Sequence, residues 1–321
     1  IDLNSSSNAF TGAVSLSTTG SGGYAELSNG SNSLTTGTST VGGYLTLTSG
    51  ALALAGTTVG GNFTATAGGE VTQSGALNIT GTTTVTVTAA GADILLNSND
   101  NNVFGDTFNA TGDWVRVYVA DGIKLGNITT EDDSSTGHFS LDANRSGNDT
   151  GSVTQAEGTA LDVWYKTIIT ASDIDVLLTS TTNDFEQKDN GQIRIEAARN
   201  VEIVDTDSIE LGTANVEGTY KVTAGGAVTN STGQGALTIT GATTIQAKSG
   251  STYYDVTLDH AQNDFSTVII TGANVQVLDE DTIDLGASTA TGTYAVTATT
   301  GNITDSGALT VSGTSTFVTI A

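Results

Sequence analysis

Carboxylates recur at fixed places in this chain. Asp205-Thr206-Asp207 and Asp279-Glu280-Asp281 hold equivalent positions in two segments of equal length, residues 201–212 and 275–286, and Asp121 aligns with Asp207 and Asp281. Two carboxylates on one turn, with carbonyls nearby, supply the oxygen ligands that Ca²⁺ takes. The alternative is that Asp caps the bend by accepting hydrogen bonds from backbone N–H groups, its common role between strands. Capping is the favoured reading, and calcium at Asp205, Asp207, Asp279, Glu280 and Asp281 is the other. Glu131-Asp132-Asp133, in the least regular stretch, is a further calcium candidate. No other cofactor is suggested.

Acids in pairs also raise glycoside chemistry, which needs two carboxylates about 5–10 Å apart. Side chains on stacked neighbouring strands reach that spacing, and Trp114 or Trp164 offers a ring for a sugar. Against catalysis, the carboxylates recur with the repeat instead of gathering once, and His138 and His260 are the only histidines. The expectation is a protein that is not an enzyme, with a carbohydrate-active β-helix as the lesser alternative. Thr46-Leu47-Thr48, Thr64-Ala65-Thr66 and Thr84-Val85-Thr86 would align Thr pairs on one face, a pattern suited to ice, but the array stops near residue 90 and Thr is also a good outward strand residue. Asn62, Asn109, Asn127 and Asn302 open glycosylation sequons, as chance provides in a Thr- and Ser-rich chain.

The elements behind these residues are repeats of short strands. Asn8-Ala9-Phe10, Asn102-Val103-Phe104, Asn183-Asp184-Phe185 and Asn263-Asp264-Phe265 mark four degenerate copies, residues 1–90, 91–171, 172–250 and 251–321. Phe is expected inside the coil and Asn at a bend, stacked in a ladder where copies share an edge. Gly218-Thr219-Tyr220 and Gly292-Thr293-Tyr294 follow the acidic turns, then Gly235-Ala236-Leu237 and Gly307-Ala308-Leu309, with Gly75-Ala76-Leu77 in the first copy. Runs such as Tyr44-Leu45-Thr46-Leu47-Thr48 and Phe63-Thr64-Ala65-Thr66-Ala67 alternate with period two between Gly, Asn, Ser and Asp, which reads as strands. No helical spacing persists, and β-branched Thr and Val dominate. An inner period of about 20 residues suits one coil of a parallel β-helix better than a sandwich or propeller blade. The fold class is therefore all-β, a right-handed parallel β-helix expected to run as one rod through residues 1–321, roughly 75 Å long at one strand spacing per coil.

The chain has 321 residues with no Pro, Cys or Met. Disulfides, zinc–thiolate sites and thiol nucleophiles are excluded, and the missing Met implies a processed product or an interior stretch. Net charge is −25, yet residues 1–90 carry just Asp2, Glu26 and Glu70. That acidity suits solubility for a body of exposed strands and disfavours nucleic acid, whose phosphates need clustered Lys and Arg. No apolar stretch is long enough to span a bilayer as a helix.

Thr66-Ala67-Gly68-Gly69 and Thr223-Ala224-Gly225-Gly226, Val71-Thr72-Gln73-Ser74, the Gly-Ala-Leu-x-Ile-Thr-Gly runs at residues 75–81 and 235–241, and Asn-Asp-Phe at 183–185 and 263–265 resemble the repeat regions of filamentous-haemagglutinin-like bacterial exoproteins. The resemblance covers nearly the whole chain, weakly between about residues 130 and 170. It implies a right-handed β-helix, secretion through a partner pore, and a surface fibre in adhesion, aggregation or biofilm. The expected function is a structural component of an extracellular or bacterial cell-surface filament that continues or stacks head to tail on copies of itself. The alternative is an adhesin stalk that binds host or neighbour-cell glycans or proteins.

Overall fold

The computed structural model describes residues 1–131, 137–185, 191–230, 233 and 235–320. The chain forms two compact units, Ile1–Trp164 and Tyr165–Ala321. Among the described residues there is no helix, and so none to cross a membrane. Each unit is a parallel β-solenoid, with about 15 turns in the two together.

In the first unit, one ladder stacks Ala25, Leu45, Phe63, Thr83, Phe108 and Leu125. A second stacks Leu34, Leu52, Val71, Ile94, Val115 and Phe139, and a third runs through Ser39, Thr57 and Leu77. The alternation seen in sequence is what builds them: in Phe63–Ala67 the residues Phe63, Ala65 and Ala67 are buried, while Thr64 and Thr66 lie on the outer side. Strand pairing is parallel, with a register shift between Phe108 and Ala110, and elsewhere along these ladders one outward residue sits over another. Thr46, Thr64 and Thr84 align in this way, as do Thr48, Thr66 and Thr86.

The second unit repeats the plan with an unexpected phase. One ladder carries Val201, Tyr220, Thr243, Val268 and Leu285. Another carries Ile209, Val228, Val256, Val275, Tyr294 and Ser315. Val201 and Val275, equivalent in sequence, thus lie in separate ladders. The ladder partners of successive coils are unevenly spaced along the chain, so a sequence copy is not a whole number of turns. Asp205 follows the first ladder and Asp279 the second, and the expected Asn ladder does not form between Asn183 and Asn263, which are tied to these two different places.

Candidate functional site

The acidic turns and the Asn-x-Phe anchors prove to be two halves of one contact. The Asn183 carbonyl accepts the Thr206 N–H at 2.9 Å, and the Phe185 N–H donates to Asp205 Oδ2 at 3.1 Å. Asp205 Oδ1 accepts the Asp207 N–H at 3.0 Å. In the fourth copy the Asn263 carbonyl accepts the Glu280 N–H at 2.7 Å, Phe265 N–H donates to Asp279 Oδ2 at 2.8 Å, and Asp281 N–H donates to Asp279 Oδ1 at 3.0 Å. Both oxygens of each buried carboxylate therefore serve backbone amides. In the first copy Asn29 takes the same part, its Oδ1 accepting the Phe10 N–H at 2.7 Å. In the second, Ala120 N–H reaches the Asn102 carbonyl, which places apolar Val119 where Asp205 and Asp279 stand.

Burial is costly for these acids. It pushes Asp205 up to about 8 and Asp279 up to about 6, the neighbouring Asp207 and Asp281 adding repulsion, while the amide bonds pull the other way. Asp207, Glu280 and Asp281 are exposed around the turns. Among the described residues no three His, Cys, Asp or Glu side chains gather as a metal site. Asp132 and Asp133 of the third calcium candidate lie outside the described residues.

The anchors also bind the Gly-Ala-Leu blocks. Asn102 Oδ1 accepts the Leu77 N–H at 2.9 Å and Asn263 Oδ1 the Leu237 N–H at 2.9 Å. Phe104 pairs over Ile79 and Phe265 over Ile239. Phe104, Phe185 and Phe265 are buried as expected, but Phe10 is half-buried, because its segment lies at the outermost coil of the first unit. Asn8, also half-buried, donates to the Leu3 and Ser28 carbonyls.

A second contact escaped the sequence reading. Asp255 Oδ1 accepts from Asn274 Nδ2 at 3.0 Å, and Asn274 Oδ1 accepts the Thr293 N–H at 3.0 Å and its hydroxyl at 3.1 Å. Asp175, Asn200 and Thr219 repeat the arrangement, with 2.9 Å from Asn200 Nδ2 to Asp175 and 2.9 Å from Thr219 N–H to Asn200. These Asp–Asn–Thr relays tie three successive coils along the outer surface. The signal available was the Asn directly before each of Val201 and Val275, paired with the Gly-Thr of the next coil. Glycine is needed there: a Cβ at Gly218 or Gly292 would meet Asn200 Oδ1 at 2.1 Å or Asn274 Oδ1 at 2.3 Å.

Two open grooves recur beside the anchors. One, of about 510 Å³, is lined by Phe104, Gly105, Asp121, Gly122, Lys124 and Thr150; the other, of about 350 Å³, by Ile239, Asp264, Phe265, Ser266, Asp281 and Thr282. Each follows from the same step in the coil, where the chain leaves Phe and the acidic turn passes over it. Trp114 and Trp164 belong to the first unit. The Trp114 ring lies 5.4 Å from that of His138 with the Arg116 guanidinium 4.3 Å from its centroid, whereas Trp164 packs its Cβ by Gly137. His260, buried, accepts the Gln262 N–H through Nδ1.

Repeats of unknown function (DUF5649) match residues 42–111, 198–271 and 272–321, more than half of the chain. The chain belongs to this family. The last two DUF5649 spans open at Ala198 and Gly272, just ahead of Val201 and Val275, so the family unit and the 201–212 and 275–286 copies share one phase. Each of these DUF5649 units contains one buried acidic-turn carboxylate, Asp205 or Asp279, and one Asn–Thr relay. No curated protein and no solved structure matches the chain.

Proposed function

We propose that this DUF5649 protein is a structural component of an extracellular or bacterial cell-surface filament, akin to the repeat regions of filamentous-haemagglutinin-like exoproteins. The observation that supports the reading is the coil-on-coil stacking of each unit, in which the interior residue of one strand lies over that of the next. Coils that stack by parallel strand pairing can add to one another in the same way, within one polypeptide or between copies. The work is mechanical: ladders of parallel strands carry backbone hydrogen bonds from coil to coil, and interior Val, Ile, Leu and Phe fill the lumen. Electron microscopy and mass measurement of the isolated 32.3 kDa chain test self-assembly. Filaments are expected; a monodisperse monomer at every concentration would refute stacking between copies.

An adhesin stalk is the second reading. It is favoured by the gathering of aromatic and basic side chains on one outer strand of the first unit, Val115–Tyr118 and the preceding Trp114.

A further inference from the structure

The first unit has 3 basic residues, Arg116, Lys124 and Arg145, in a chain of net charge −25. Lys124 pairs with Asp106 at 3.6 Å, and Arg145 pairs with Asp100 at 2.8 Å and also with Asp142. Arg116 has no carboxylate and no hydrogen-bond acceptor among the described residues; its guanidinium lies on the Trp114 ring, 4.3 Å from the centroid. Among the described residues Arg116 is thus the one cation of the first unit without a carboxylate, and its guanidinium is a planar fork of donors.

The surroundings fix that fork. Trp114, Arg116 and Tyr118 follow one another on the outer side of the strand, while Val115 and Val117 point inward. Their row spans about 13 Å, the reach of a short oligosaccharide. Leu95 on the coil below and Ser140 on the coil above register with Arg116, so an apolar side chain backs its stem and a hydroxyl stands beside it. Tyr118 carries the Arg145 guanidinium 4.5 Å from its own ring centroid, and Asp142 registers with Tyr118. His138 registers with the Trp114 end, their rings 5.4 Å apart.

We infer that Arg116, held over the Trp114 ring with Ser140 in register beside it, binds the carboxylate of an oligosaccharide that carries one acidic group among neutral rings. Planar bidentate pairing is what a guanidinium offers a carboxylate, and aromatic and hydroxyl neighbours suit sugar rings. A dense polyanion is disfavoured because the surrounding surface is acidic. An extended peptide lacks its usual route, since both edges of Val115–Tyr118 are already paired, with Ile94–Leu96 and with His138–Asp142.

The inference rests on the adhesin reading for its biological purpose, and the two fail separately. Titration of the full chain carrying Trp164→Phe, which leaves Trp114 as the one indole, with cellobiouronic acid should give a saturable fluorescence change. Cellobiose, which lacks the carboxylate, should bind at least about tenfold more weakly, the scale of one charge-assisted hydrogen bond. Arg116→Gln should abolish the change and Arg116→Lys should weaken it about tenfold by losing the fork, whereas Lys124→Gln should leave it intact. Equal response to both sugars, no response, or a response that survives Arg116→Gln would overturn the site. Saccharide binding in solution without attachment to a surface bearing the same sugar would instead refute the adhesin reading and leave the site standing.

Discussion

Asp205 and Asp279 each place a carboxylate where two backbone amides of different coils converge. Removing the acceptor orphans both donors: Asp279→Ala is expected to cost about 1–3 kcal/mol for each unsatisfied amide, and Asp279→Asn less, since one oxygen remains. The pH dependence has a definite sign. Both folded values, about 8 for Asp205 and about 6 for Asp279, lie above the ordinary carboxylate value, so the folded state holds these protons more tightly than the unfolded chain. Their contribution to stability is complete below the unfolded value and falls as pH rises through about 6 and then about 8. Denaturant titrations at pH 4.5, 6 and 8 should show stability declining, and the double variant Asp205→Asn, Asp279→Asn should flatten that slope; an unchanged slope would remove these groups as its cause. At Gly218 and Gly292 the same residue-scale logic is steric. Gly218→Ala or Gly292→Ala should break the Asn–Thr relay and cost about 1–3 kcal/mol, the range for overpacking. Gly22→Ala, whose Cβ meets nothing within 4 Å, should stay within about 0.5 kcal/mol in the same melts.

At the scale of elements, each strand is held chiefly by the coils directly below and above it. Ile245, inside the strand Leu237–Ser249, registers with Val222 and Ile270 and is buried between them. Ile245→Ala should cost about 2–5 kcal/mol. In a quasi-one-dimensional array the damage spreads by neighbours, so hydrogen exchange should accelerate around Val222 and Ile270 and remain unchanged around Leu45 and Phe63 in the first unit. Uniform loss of protection through both units would contradict that picture. Strand identity was legible because period-two alternation fixes which side chains face inward. Ladder assignment was not. Turn length varies from coil to coil, and a turn can absorb residues without disturbing the strands it joins, so equal sequence copies drifted onto different ladders. The candidate site divided likewise: Asn-x-Phe and the acidic turns were each visible, but the bonds from Asp205 to Phe185 and from Asp279 to Phe265 bridge 20 and 14 residues, which no local pattern marks.

At the scale of the whole molecule, the filament reading depends on strand pairing between coils, which can be tested at the edge of the strand Ser315–Thr319. Phe317→Lys sets a charge on that edge, at a side chain already 47% exposed, and should leave the circular dichroism of the chain unchanged while suppressing elongation seen by electron microscopy. Elongation that persists in the variant would place the contact between copies elsewhere. What the sequence determined by itself was the kind of architecture. Alternation, Gly and Asn punctuation, β-branched residues and a repeated motif leave stacked parallel strands as the arrangement that buries one face of every strand. What only the tertiary structure decided was which distant groups meet: the carboxylate on the amide of another coil, the Asn–Thr relays, the grooves beside Phe104 and Phe265, and the Arg116 row of Trp114 and Tyr118 against Ser140 of the next coil. Those contacts depend on how many residues each turn spends between strands, and backbone pairing, indifferent to side-chain identity, records that count only once the coils are stacked.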